Sequence, residues 1–469
     1  MPAPLLGPDP SLFTGRIGVA RVDITPPVGI YARNWGAAAH DVADSIHRPL
    51  SLTALTIRGH AGESPLVLVD ADLGFWTALD RFHRLRAQVL EELQLDSSRF
   101  IFAMTHTHAS PHLCDVAEGM AGGDLLEEWL ALLAPATVRV VREALAAEHD
   151  STLDWNWGRC QLAATRDLPD PTPGSSRRLC GYDPGVPADQ TLLVGRVCDP
   201  SGRIRATLVN YACHPTTLAW SNHAISPDFI GAMRETMEAA NPGSLAFFLQ
   251  GTSGELAPRY QYVGDGAVPD RHGRQLGYAA LATLEDMEPA GTRLAFDRVV
   301  ESGAPLAVWT HQACEASTAV AASQSSVNLP LKPDLPTAEE LDRQYRSCDD
   351  RALAERLRRK RNLRRVLGEG PSFAMPVWAW RIGNAVIVGC MAEAYSMAQT
   401  SLRAKFPDSH VVCMNLINGT IGYLPPADRY GLDLYQVWQS PFERGCLERY
   451  LETAAQLIER LLQTNDHPL

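Results

Sequence analysis

The sequence predicts an α/β protein in which mixed β-sheets are covered by helices. Strand-like and helix-like segments alternate through the first half of the chain. Of its 469 residues, 45% are hydrophobic and 20% charged, enough to bury a large core. Several strand candidates are continuous apolar runs that end abruptly in polar residues, as in strands buried on both faces.

Taken in order, residues 17–27 (IGVARVDITPP) and 52–59 (LTALTIRG) read as strands, and 65–74 (PLVLVDADLG) is an apolar run ending in two acids. A helix is expected over about 78–95, with Leu, Arg and Glu at 3.6-residue spacing. Residues 99–110 (RFIFAMTHTHAS) form the next buried strand, and a helix covers roughly 125–148. The Pro-, Gly-, Ser- and Arg-rich stretch 167–187 reads as a long ordered loop. Strands return at 190–197, 204–214 and 244–251, with helices over 228–240 and 270–288 between and after them. Residues 290–330 look like loosely connected strands, and 336–368 like a charged helical insertion on the surface. Strands at 373–390 and 410–418 and a helix from about 445 to 463 complete the chain. No repeat or low-complexity linker interrupts it, so one domain spanning 1–469 is expected.

The formal charge of −12 disfavours phosphate backbones and anionic headgroups, so nucleic acid is not an expected partner. One basic stretch, 351–367 (RALAERLRRKRNLRRVL), has leucines near helical spacing. It reads as an amphipathic surface helix with a solvated face, a lipid- or polyanion-binding face being the other reading. None of the ten cysteines forms C-x-x-C, and Cys198, Cys213, Cys390 and Cys413 sit in apolar runs as buried thiols do. The first residues lack the basic start and apolar stretch of a signal peptide, and no run of about 18 apolar residues is present. A cytoplasmic protein without an integral membrane segment is therefore expected. The oligomeric state is open, a homo-oligomer included.

The sharpest chemical signal is Thr105-His106-Thr107-His108. Residues two apart on a strand share a face, so both imidazoles would project together from a strand end, where α/β sites collect. Such a pair is more often polar groups satisfied by loops than metal ligands, and both readings stay open at this point. His214 ends another apolar strand, before the helix-cap pattern Ser226-Pro227-Asp228. The apolar run IVGCM precedes Ala392-Glu393-Ala394, and a buried charge there requires a partner or a metal; a helix N-terminus is the plainer reading. Tyr423 lies among glycines. Catalytic zinc takes three protein ligands from His and carboxylates, and the three strand-end histidines with an acid such as Glu393 would meet that need. His112 and His223 read as surface groups or as partners of the ligating residues, and His149, His410 and His467 as surface groups. Ser253, in Gly251-Thr252-Ser253-Gly254-Glu255, does not form a nucleophile elbow, but this glycine-flanked loop could bring backbone amides to a ligand. P-loop and H-E-x-x-H patterns are absent.

Read in order, these islands resemble the neutral, or non-lysosomal, ceramidase family. THTHASP is similar to the family's T-H-T-H-S-G-P, NYACHPT to its second zinc-histidine segment, and GTSGELAPR to its N-S-G-N-L-S-P-N loop. MAEAYSM resembles P-G-E-F-T-T-M, and INGTIGYLPP resembles N-x-x-x-G-Y-x-x-T, so the likeness covers nearly the whole chain. The resemblance implies zinc on His106, His214, Glu393 and Tyr423, with His108 and Arg166 at the substrate and zinc-activated water as the attacking group. Glu255 is a further candidate base; Ser253, Gly254 and Arg259 would contact substrate. Two departures stand out: the family's loop serine is Ala257 here, and its next asparagine is Arg259. The chain also stops where ceramidases add an immunoglobulin-like domain. The expectation is a zinc-dependent hydrolase of an amide bond in a small soluble substrate. The alternatives are an ester or lactone hydrolase, a true ceramidase, or a catalytically silent metal-binding relative.

Overall fold

A computed structural model of the chain describes residues 6, 7 and 9–463; His467 lies outside the described residues. Two β-sheets stack face to face. The larger has eight strands, in the order Leu245–Gln250, Ile204–Tyr211, Thr191–Cys198, His149–Arg159, Phe13–Asp23, Ser51–Arg58, Leu66–Ala71 and Phe100–Met104. The smaller has four, Val320–Pro330, Ser372–Ile382, Ala385–Cys390 and Val411–Met414. Both sheets are mixed. In the larger, only the two edge pairs run parallel, Leu66–Ala71 with Phe100–Met104 and Ile204–Tyr211 with Leu245–Gln250. In the smaller, Ala385–Cys390 and Val411–Met414 are parallel.

The apolar runs follow from burial on both faces. Along Leu66–Ala71, side chains alternate in direction. Leu66 and Leu68 enter the core between the sheets with Trp378, Trp380 and Ile387. Val67 and Val69 face the opposite way, toward Val138 and Val141 of the helix Gly123–Ala146. That helix and the helices Phe229–Ala240 and Ala267–Glu285 cover the large sheet, while Met397–Lys405 and Cys446–Gln463 cover the small one. Each fully buried Phe or Leu in these layers contributes roughly 1.5–3 kcal/mol. The cap pattern at 226–228 acts as expected: the Asp228 carboxylate accepts from Phe229 N at 2.7 Å and starts the helix.

Helices Phe229–Ala240 and Ala267–Glu285 cross so closely that a Cβ on Gly273 would stand 2.2 Å from the Phe229 carbonyl oxygen. Backbone cannot step aside as a flexible side chain can. Gly273→Ala is therefore expected to lower the unfolding free energy by about 1–3 kcal/mol. Urea midpoints compared with wild type test this, and an unchanged midpoint would contradict the packing described.

The basic region forms the helices Ala338–Arg346 and Arg351–Leu367. Arg351, Leu353, Arg356 and Arg365 are exposed, giving the expected solvated face. The opposite face is buried: Glu355, Asn362, Arg364 and Leu367 pack inward, and the helix lies over the candidate site instead of standing apart from it. Periodicity distinguished the two faces but carried no information about what the inner face would meet. Two histidines also differ from expectation. His410 is half-buried, stacked on Trp157 with its Nδ1 2.8 Å from Ser11 Oγ, and burial pushes it down to about 4. His112 is fully buried, its Nδ1 donating to Arg33 O at 2.6 Å. His223 is exposed. All ten cysteines are free, and among the described residues no helix is long and apolar enough to cross a membrane.

Candidate functional site

Three strands that belong to parallel pairs deliver the site at their C-terminal ends, the usual location in such sheets. Phe100–Met104 leads to His106, Ile204–Tyr211 to His214, and Ala385–Cys390 to Glu393. The fourth residue arrives by register: the two-residue strand Glu393–Ala394 pairs parallel with Tyr423–Leu424, setting Glu393 beside Tyr423. His106 and His108 meet as predicted, with ring centroids 4.8 Å apart, but by a different route. The strand ends at Met104, and His106 adopts a positive φ of 72°, so a turn and not strand alternation brings the rings together.

His106 Nδ1 donates to Gly74 O at 3.2 Å and His214 Nδ1 to Leu256 O at 3.1 Å. These bonds fix the tautomers and leave a lone pair on each Nε2. Both lone pairs face the same carboxylate oxygen: Glu393 Oε2 is 3.3 Å from His106 Nε2 and 2.9 Å from His214 Nε2. All three groups are buried, and His106 Nε2 has no hydrogen-bond partner. Burial, reinforced by Arg166, pushes His214 down to about 3, so a proton on this imidazole does not relieve the facing acceptors, and Arg166 Nη2, 3.0 Å from His214 Nε2, does not reach all of them. A cation among them would.

The spacing could hold a metal ion. Ligand atoms about 2.0–2.1 Å from a tetrahedral ion lie ~3.3 Å from one another, and the three donor atoms here fall within 4.8 Å of each other. Tyr423 stands alongside, its ring parallel to His214 at 6.3 Å, and burial together with the Glu393 carboxylate pushes its phenol upward.

A cavity of about 110 Å³ adjoins these residues, lined by His106, His108, Glu393 and Tyr423 and walled by Phe75, Trp76, Leu79 and Tyr435. His108 Nε2 is buried without a partner; burial and neighbouring His106 push the imidazole well below the usual histidine range, which keeps it neutral. The remaining expected site residues are not on this cavity. The buried Arg166 directs one Nη2 to Gly254 O (2.8 Å), His214 Nε2 (3.0 Å) and Tyr423 OH (3.2 Å), so it braces the cluster. Ser253 Oγ accepts from Gln250 Nε2 at 2.6 Å. Gly254 is needed for close approach, since a Cβ there would lie 2.9 Å from Glu393 O. Arg259 is exposed, and Ala257 is buried in a short strand opposite Ala164. Sequence reasoning missed Phe75, Trp76, Tyr435, Arg359 and Lys360. The two cations were visible as charge in a helix, but nothing local showed what they would face.

Glu255 lies on a separate cavity with Asp167 and Tyr395. Its two carboxylate oxygens accept from Ser396 N at 3.0 and 2.9 Å, and Ser396 Oγ also contacts it. Burial pushes Glu255 up to about 7. The folded state thus retains a proton that the unfolded chain releases near 4.5, and stability falls as pH rises between those values, by up to ~1.4 kcal/mol per unit. Glu255→Gln is expected to remove this fall. The check is denaturant unfolding of both proteins at pH 5 and pH 8; parallel pH profiles would contradict the assignment.

No protein-family model matches the chain. It is 24% identical over 256 residues to the neutral ceramidase of Pseudomonas aeruginosa, an alignment spanning 52% of this chain and 37% of that relative. The crystal structure of neutral ceramidase from Pseudomonas aeruginosa superposes with a TM-score of 0.66 at 19% identity, covering 96% of this chain and 75% of that one. A ceramidase complexed with C2 gives 0.65, also at 19% identity, over 98% and 77%. The chain is neutral ceramidase-like, and its mixed α/β fold is that of these structures.

Proposed function

We propose that the chain is a zinc-dependent hydrolase that cleaves the C–N bond of a small amide, with His106, His214, Glu393 and Tyr423 holding the ion. The observation that carries this reading is two imidazole lone pairs and a carboxylate oxygen converging, buried, beside an apolar-walled cavity. The likeness to neutral ceramidases supports amide chemistry in particular. Zinc bound there would supply Lewis acidity to the scissile carbonyl and the attacking water.

The protein's own groups do the rest. Phe75, Trp76 and Tyr435 exclude water from the substrate's apolar part. Water adds to the carbonyl carbon, the C–N bond breaks, and the proton lost by water ends on the departing amine. His108 Nε2, neutral and unpaired, is the atom placed to carry that proton or to donate to the developing oxyanion. Arg166 is a positioning residue: it fixes the His214 and Tyr423 side chains through one guanidinium nitrogen. Glu255 bonds Ser396 and borders the other cavity, which argues for a structural part in this reading.

The test is metal analysis of purified protein combined with hydrolysis assays on N-acyl amines, esters and lactones. One zinc per chain with release of free amine is the expected result. Zinc-loaded protein inert toward the whole panel would favour a silent relative, in keeping with Ala257.

A further inference from the structure

The roof of the cavity is the basic helix Arg351–Leu367, which contributes Arg359, Lys360, Leu363 and Val366. Glu393 is the lone carboxylate among the lining residues, and it faces the imidazoles. Arg359 is held rigidly: its Nε donates to Glu355 at 2.8 Å, its Nη2 to Asn34 O at 2.8 Å, and its guanidinium lies 5.0 Å over the Phe75 ring. The buried Glu355 also pairs with Arg358 at 2.8 Å, so one carboxylate serves two guanidiniums and a positive charge is left over.

Lys360 adds a second. It is half-buried; Arg356 and Lys332 are its cationic neighbours, and in the adjoining cavity Asp334 is one acid against Lys332 and Lys360. That cavity, of about 240 Å³, also carries the apolar side chains of Leu335, Leu357, Leu367 and Trp438. Half-buried cations in excess over the one acid of that cavity are stabilised by a ligand that brings a counter-charge. A singly charged anion suits these surroundings better than a dianion, whose desolvation costs far more.

We infer that Arg359 and Lys360 select amides bearing a carboxylate, which lies against the roof helix while the scissile carbonyl sits at His106, His108 and Glu393. This rests on the amide-hydrolase reading and adds to it the substrate class.

The test uses charge-matched pairs on the zinc-loaded protein. N-hexanoylglycine and N-hexanoylglycinamide place the charge on the amine half; adipic acid monobutylamide and N-butylhexanamide place it on the acyl half. At least one anionic member is expected to exceed its neutral partner more than tenfold in kcat/KM, with the ratio falling as salt rises. Lys360→Met, alone and with Arg359→Gln, is expected to bring the ratio to within threefold of one, while Lys360→Arg retains it. The two sulfonamides N-(hexylsulfonyl)glycine and N-(hexylsulfonyl)glycinamide, which resist hydrolysis, report binding by calorimetry. Equal hydrolysis of charged and neutral amides overturns the inference and leaves the hydrolase reading standing. No hydrolysis, with the anionic sulfonamide bound more tightly in a Lys360-dependent way, overturns the hydrolase reading and leaves anion selection standing. Neither hydrolysis nor charge-dependent binding overturns both.

Discussion

On the zinc-hydrolase reading, Glu393→Gln is expected to lose the metal and to abolish hydrolysis while leaving the fold intact. The carboxylate is the one negative charge facing the His106 and His214 lone pairs. Glutamine keeps its shape and its place beside Tyr423 in the strand register but carries no charge. Outer partners of metal ligands alone are worth about 10–100-fold in affinity, so loss of a direct ligand is expected to exceed ~100-fold. Turnover should fall by at least about 10³-fold, the scale of losing a principal electrostatic group. Metal content by mass spectrometry, initial rates of amide cleavage and a circular dichroism spectrum read the three consequences separately. A variant that retains full zinc and wild-type turnover would remove Glu393 from the centre.

The second large effect is on stability. Arg234, on the helix Phe229–Ala240, donates to Asp72 at 2.7 and 2.8 Å and to Asp70 at 2.7 Å, with all three side chains buried. Asp70 further accepts from Phe248 N and Asp72 from Ser51 N, both at 2.9 Å, so the network ties three strands to one helix. Arg234→Met would leave two carboxylates buried without their cation, at a cost of roughly 3–5 kcal/mol near neutral pH. Burial already pushes Asp70 up to about 6. The loss should therefore shrink as pH falls and Asp70 takes up a proton. It should also shrink in the triple variant that adds Asp70→Asn and Asp72→Asn. Chemical denaturation at pH 5 and pH 7.5 measures both trends; a loss under ~1 kcal/mol at pH 7.5 would contradict this account. The same segment carries Leu73 and Gly74, whose carbonyls hold His106, so site geometry is expected to loosen with it.

Much of this was legible in the text of the chain because strand ends are local features. Apolar runs stopping at Thr105-His106, Cys213-His214 and Ala392-Glu393 marked three arrivals, and the acids closing PLVLVDADLG marked the Arg234 network without revealing the arginine. Other features were not readable because they depend on distant pairings. Glu393 meets Tyr423 through a two-residue parallel strand too short to leave a periodic trace. Arg166, expected at the substrate, is consumed by Gly254, His214 and Tyr423; its role is decided by the short strand that sets Ala163–Thr165 against Leu256–Pro258. The His106–His108 pairing was anticipated on strand alternation, but a left-handed residue produces it. For the basic helix, spacing gave the buried stripe but not the pocket beneath it.

The first and last members of the metal-capable cluster, His106 and Glu393, are 287 positions apart (393 − 106). Closing so long a loop is entropically slow, and intermediate stretches of sequence must already be in place before the ends can meet. A nascent or half-folded chain therefore presents scattered imidazoles and no chelating pocket. On the proposed reading, an ion would therefore find its three ligands together only after the strand ends of both sheets have met.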